Sequence, residues 1–257
     1  MRKLALILLQ CAVTFGTFAQ DSTQRHCAFA DGLGIRVGIG HSAIRDEFIS
    51  DEKYSGSLPY VGLSWSRFHG AYGYRLIFEF ERSASVKNHN ISAQITEATF
   101  DLEYLYPVGN FLLLSNDLAL LVGPSAEFFL HFRNQNMASG GSSLFNALSF
   151  SSLLSAAAKA EAYYPLNDVF QIDFGARLSI LSLGARMINP EKKDVSAVKV
   201  LTVLSSIRLS TEIAVRYRIA NPLTLALVYQ FKYTRIAGWD LFLSGSDTFI
   251  AAITYDL

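Results

Sequence analysis

Glu81, His131, Ser155 and Asp247 are the residue types from which a base–orienter–nucleophile set is made. A histidine held by a carboxylate can take the proton of a serine hydroxyl as that oxygen attacks an ester or amide carbonyl. The four come from separate segments, and no local motif ties them together. His41, His69 and His89 add little, because their spacing does not suggest a shared metal; no cofactor is expected. Ser139-Gly140-Gly141 lacks the strand-to-helix setting that a phosphate cradle requires. The expectation is a protein that is not an enzyme, with an outer-rim hydrolase of lipid or peptide as the alternative.

A second group is purely electrostatic. Arg36, Arg75, Lys159 and Arg216 are matched by Asp101, Glu103, Glu161 and Asp173, each on the polar face of an alternating segment. In a confined interior such charges must be paired or hydrated, since leaving one partner of a buried pair uncompensated costs about 3–5 kcal/mol. Strand order places Arg75 beside Asp101 and Glu103, and Lys159 beside Asp173. The group reads as a salt-bridged plug. Its other use would be a selectivity zone for a small solute.

What positions these residues is a period of two, the signature of strands. Leu33, Ile35, Val37 and Ile39 alternate with Gly34, Arg36, Gly38 and Gly40. Tyr72, Tyr74, Leu76, Phe78 and Phe80 share one face against Gly73, Arg75, Glu79 and Glu81. The same pattern recurs near 58–68, 98–106, 117–132, 153–164, 170–180, 206–219, 223–234 and the terminal TFIAAITYDL, which makes ten segments. Two stretches are ambiguous. Residues 142–162 are rich in serine, leucine and alanine and could be helical, and 195–205 could extend the eighth segment or stand alone.

Composition sets the surroundings. Arg2 and Lys3 precede an apolar stretch that ends in small residues at Thr17 and Ala19, so residues 1–19 read as a secretory signal peptide. Residues 20–31 then form a periplasmic leader, and 32–257 the folded body. Without the signal only Cys27 remains, which excludes an intramolecular disulfide framework. Basic and acidic residues balance at 22 each, with no basic stripe for nucleic acid. Mean hydropathy is +0.25 and aromatics make up 13%, yet beyond the signal no apolar run is long enough for a membrane helix. The apolar residues are instead spread by alternation.

The breaks alternate in length. His69-Gly70, Pro107-Val108-Gly109-Asn110, Pro165-Leu166-Asn167-Asp168 and Ala220-Asn221-Pro222 are short, whereas 42–57, 82–91, 133–151, 184–200 and 235–246 are long and polar. Outer-membrane barrels are built this way, with short periplasmic turns and long outer loops. Tyr72, Tyr74, Tyr104, Tyr106, Tyr164, Tyr217 and Tyr255 all lie close to a short break or the terminus, as a periplasmic aromatic girdle would. Tyr229, Phe231 and Tyr233 would supply part of the opposite girdle. The expected fold is all-β: a transmembrane antiparallel up-and-down barrel of about ten strands, with eight or twelve as alternatives. Both termini would face the periplasm, and a narrow barrel of this size would be filled by side chains.

The signal sequence, the ten segments and the closing FIAAITYDL together resemble bacterial outer-membrane β-barrel proteins over residues 31–257. The resemblance implies that the last strand, through Phe249, Ile253, Tyr255 and Leu257, is the signal read by the barrel-insertion machinery; the usual terminal residue is phenylalanine, and here it is leucine. It also implies outer-membrane lipid as partner and a role in envelope structure, surface contact or restricted solute passage. An accessory subunit of an envelope complex is a further alternative. Omptin-type proteases are similar in strand number, but their acidic pairs and Asp-His couple have no matching positions here.

Overall fold

Because successive side chains in a strand point to opposite faces, the alternation noted above separates one wall of the protein from the other. The computed structural model describes residues 32–257, apart from 48–49, 70–71, 84, 88–91, 115, 138–144, 189–196 and 240. The expected signal peptide and leader, and with them Cys11 and Cys27, lie outside the described residues.

Twelve antiparallel strands follow one another: β1 (Gly32–Asp46), β2 (Ser50–His69), β3 (Tyr72–Arg82), β4 (Val86–Lys87), β5 (Ser92–Leu113), β6 (Asn116–Met137), β7 (Phe145–Pro165), β8 (Phe170–Ile188), β9 (Ala197–Thr202), β10 (Ser206–Ala220), β11 (Leu223–Ile236) and β12 (Phe242–Tyr255). β1, β2, β3, β5, β6, β7, β8, β10, β11 and β12 each pair with the next of these in order, and β1 pairs with β12 from Leu33↔Tyr255 to Asp46↔Phe242. That last pairing closes the sheet and removes its edges. We call the end holding Gly32 and Tyr255 the near end and the opposite end the far end.

The two short strands do not add staves. β4 lies between β2 and β5, as β3 does, with Lys87 opposite Ser55 and Val86 opposite Ala93. It continues β3 toward the far end. β9 takes over the pairing with β8 at Thr202↔Leu181, just beyond the point where β10 ends its own pairing with β8 at Leu209↔Leu178. Within the ambiguous 195–205 stretch, residues 197–205 are therefore an extension of the eighth stave that is split from β10 by a turn, in which the Ser205 N–H donates to the Thr202 carbonyl. The barrel has ten staves. Of the helix candidate 142–162, residues 145–162 are strand throughout, since pairing to β6 and β8 overrides alanine's weak strand preference, and 142–144 lie outside the described residues.

One break is misplaced by the sequence reading. The chain does not turn at Pro107–Asn110; β5 shifts register between Pro107 and Gly109 and runs on to Leu113, paired with Asn116. The β5–β6 hairpin thus projects beyond its neighbours at the near end, where Phe111, Leu112 and Leu114 are exposed. Leu114 has φ 57°, a left-handed backbone that costs a branched side chain about 1–2 kcal/mol and asparagine less. Leu114→Asn is expected to raise the unfolding free energy by about 0.5–1 kcal/mol, read from urea titration in lipid vesicles; a destabilised variant would contradict this.

The outer wall is apolar. Leu33, Ile35, Val37 and Ile39 are each more than half exposed, while Gly34, Arg36 and Gly40 between them are buried. Phe78, Phe100, Phe128, Phe174, Ile213, Leu227 and Phe249 repeat the arrangement round the barrel. This inverts the ordinary rule for proteins in water, where large contiguous apolar surface is covered.

Candidate functional site

The lumen holds the charges. Arg36, Asp101, Glu103, Glu161 and Asp173 are buried, and Arg75, Lys159 and Arg216 have side chains only 12–19% exposed. Their strands aim them inward because each has the opposite parity to the exposed apolar residues of its stave.

The pairings follow spatial rather than sequence proximity. Near the near end Arg216 contacts Asp173, which also accepts from the Gln171 amide. Arg75 donates to Glu161 at 2.5 Å and lies 3.4 Å from Glu103. Lys159 bridges the same two carboxylates at 3.0 and 3.1 Å, and the Tyr163 hydroxyl donates to Glu161. Two neighbour relations expected from strand order do not form contacts: Lys159 serves Glu103 and Glu161 rather than Asp173, and Asp101 is held by Arg177 rather than Arg75. The cause is the reach of long side chains across a narrow lumen, where adjacent staves are not the only partners.

Halfway up the lumen, Arg36 and Asp101 meet charged partners that the sequence reading omitted. Arg36 reaches across the barrel to Glu212 at 2.6 Å and to Glu79 at 3.8 Å. Glu79 also accepts from Lys232 at 2.7 Å, Gln230 at 3.0 Å and the Tyr60 hydroxyl at 2.9 Å. Arg177 joins Asp101 to Glu127, and Arg208 completes Glu127 at 2.7 Å while lying over the Phe129 ring at 3.6 Å. These residues share the inward parity of the first group, and that parity was the available signal.

Above the charges sits an apolar lid. Ile44, Tyr54, Val86, Ile95, Phe129, Leu153, Leu201, Ile236 and Phe242 form one buried cluster with Trp239 against it. Beyond it the Asp46–Arg186 pair and Arg133, whose guanidinium covers the Tyr54 ring at 4.2 Å, occupy the far end. Cavities of about 10, 20 and 50 Å³ line up along Arg36, Arg75, Lys159, Glu212 and Arg216. Each has room for between one and a few waters.

The proposed base–orienter–nucleophile set is not assembled. His131 is fully buried beside the lid residues Phe129 and Phe242, its Nδ1 2.9 Å from Glu97 rather than Glu81, its ring edge-on to Phe242. Glu81 takes Lys232 instead. The Ser155 hydroxyl shares a 2.8 Å hydrogen bond with Ser182. Asp247 does not face the lumen or its rim: it lies on the outer wall of β12, opposite His41 of β1, because it has the parity of the exposed Phe249.

The tyrosines lie on the outer wall at the near end. Tyr72 stacks on Tyr104 at 5.2 Å, Tyr104 meets Tyr106 edge-on at 4.9 Å, and Trp65 meets Tyr74 at 5.2 Å. Tyr217 packs on Phe170, Tyr164 donates to the Leu113 carbonyl, and Tyr255 is exposed. Phe249, Ile253 and Tyr255 line the outer face of β12, and Leu257 follows the strand at 74% exposure.

No family model and no curated protein sequence matches the chain. Solved structures do. The outer membrane protease OmpT of Escherichia coli aligns with a TM-score of 0.51 at 8% identity, over 89% of this chain and 98% of that one. The translocator domain of autotransporter NalP from Neisseria meningitidis gives 0.42 at 10%, over 98% and 96%. OprG from Pseudomonas aeruginosa gives 0.34 at 12%, over 88% and 95%. At such identities the likeness is one of fold: a closed antiparallel barrel of the bacterial outer-membrane kind.

Proposed function

We propose that this chain is an integral outer-membrane barrel with a plugged lumen, which acts through its surfaces in envelope structure or surface contact rather than as an enzyme or an open channel. One observation carries the reading. The charges inside are matched acid to base in layers, beneath an apolar lid, and the cavities along them, about 10, 20 and 50 Å³, have room for between one and a few waters. Two further features support membrane placement: the exposed apolar wall and the tyrosine ring at one end of it, which fit a lipid band and its interface. On this reading both termini face the periplasm, the long connections face outward, and outer-membrane lipid is the constant partner. The outer residues of β12 would present the assembly signal to the insertion machinery, and any envelope protein partner would be met outside the lumen.

Planar-bilayer recording tests the plug. The purified barrel, shown to be folded by its heat-dependent gel mobility, is expected to give no stable conductance steps in 1 M KCl. Steady steps that change ion preference in Arg75→Ala without loss of stability would replace the plug with a solute pathway.

A further inference from the structure

The apolar wall is not equally tall all round. On β1 the uncharged outward track runs from Leu33 to Ile39 and stops at His41; on β12 it runs from Tyr255 to Phe249 and stops at Asp247. On β6 it runs from Leu118 to Phe132, on β7 from Phe150 to Tyr164, and on β8 from Phe170 to Ala185. At about 3.3 Å per residue and a tilt of roughly 40°, the short tracks rise about 15 Å and the long ones about 35 Å, against a lipid band about 25 Å tall. All these tracks start near the tyrosines, so the excess of roughly 10 Å lies toward the far end. There Phe132 is 41%, Leu183 47% and, on adjacent β9, Val200 70% exposed. Tilting the barrel cannot lengthen the lipid on one side alone. Nor does the sequence that follows β6 and β8 match it, since 138–144 reads ASGGSSL and 189–196 reads NPEKKDVS.

We infer that the β6–β8 wall is a self-association face, on which a second copy of this chain docks by the same wall about a two-fold axis parallel to the barrel axis. This rests on the membrane reading above. The length of the wall selects the occupant. A two-fold along the membrane normal sets both copies at one depth, so each overhang meets an identical overhang, whereas a partner with an ordinary belt would leave it in water. The middle of β7 presents Ala156, Ala158, Ala160 and Ala162 outward, a low surface that lets two walls approach closely where dispersion drives association. Three tracks of about eight outward positions supply roughly 24 residues, the size of a standard interface face. The opposite wall is unsuited, because Arg45, Lys53 and Arg82 stand exposed there at the height of the overhang.

The test uses the full barrel with Cys11→Ser and Cys27→Ser, refolded into vesicles of 14-carbon lipid and treated with a short bismaleimide. Ala158→Cys is expected to give mostly cross-linked dimer and Val37→Cys, on the far wall, little. The Ala158→Cys yield should fall severalfold in 22-carbon lipid, which covers the overhang itself. Equal yields at the two positions, a monomer at Ala158→Cys, or indifference to lipid length would overturn the inference and point to lipid or a different protein as cover. Photobleaching of the Cys11→Ser chain labelled at Cys27 gives the same answer without the new cysteine: two steps are expected, and single steps overturn it. Failure to enter vesicles at all would instead sink the membrane reading.

Discussion

Arg177→Ala is expected to lower the barrel's unfolding free energy by about 3–5 kcal/mol, and Arg75→Ala by less than half as much. Both arginines join two carboxylates in the lumen, so charge count alone predicts equal losses. Their neighbours differ. Among the described residues Arg177 is the ion-pair partner of Asp101, which is 2% exposed. Removing the guanidinium leaves that carboxylate in a space too small for more than a few waters; Glu127, its other partner, keeps Arg208 at 2.7 Å. When Arg75 is removed, Glu103 and Glu161 both keep Lys159, and Glu161 keeps the Tyr163 hydroxyl. Urea unfolding in lipid vesicles, followed by the emission of Trp65 and Trp239, measures both changes. If the loss comes from an uncompensated charge, adding Asp101→Asn to Arg177→Ala should restore a large part of it, a coupling that a double-mutant cycle isolates. Equal losses for the two arginines, or no recovery in the double variant, would show that the lumen is wet enough to screen its charges.

That difference between Arg75 and Arg177 also marks the limit of what sequence could say. Parity is local, so the inward aim of Arg36, Arg75, Glu103 and Glu161 could be read from the apolar residues on either side of each. Partnership is not local. Arg36 meets Glu212, and Glu79 and Glu81 meet Lys232, across the lumen between strands far apart in the chain. Those contacts depend on barrel tilt and side-chain reach, which no alternation encodes. Two errors have the same root. Asp247 enters the candidate catalytic set by residue type, but it has the parity of Phe249 and lies on the outer wall; its cross-strand neighbour His41 lies at the same upper limit of the short apolar track. Pro107-Val108-Gly109-Asn110 has the composition of a turn, but the register shift there lets the hairpin continue, and only pairing with Leu118–Leu121 reveals it. The apolar lid was missed for another reason: Ile44, Tyr54 and Phe242 lie in stretches read from sequence as long polar loops.

The second large effect is expected at Gly123, with Gly123→Ala lowering the yield of folded, heat-modifiable barrel severalfold. A Cβ on Gly123 would sit 1.8 Å from the Tyr104 carbonyl oxygen and 2.9 Å from its carbonyl carbon. Those are backbone atoms, so no rotamer change relieves the clash. Here the β5–β6 ladder is interrupted: pairing is regular up to Glu103↔Ser125 and resumes at Tyr106↔Val122. Pro124, within the gap, has no N–H to donate, and a glycine beside it lets the β5 backbone close over β6, the use strands make of glycine where another backbone approaches closely. β5 cannot retreat easily, because the Tyr104 ring is held between Tyr72 and Tyr106 at 5.2 and 4.9 Å. Overpacking typically costs about 1–3 kcal/mol; with only backbone atoms in the way the loss should reach or pass the upper figure, and assembly should suffer first because β5 and β6 are two of the longest strands in the barrel. Two controls separate this from a general intolerance of alanine. Gly245 has nothing within 4 Å of its would-be Cβ, and Gly175 only the side chains of Glu161 and Lys159 at 3.8 Å. Alanine at either should leave stability within about 0.5 kcal/mol of the parent. A Gly123→Ala barrel that folds as well as those two would mean that the strands do not close up at this point, and that β5 and β6 are joined there by an ordinary ladder.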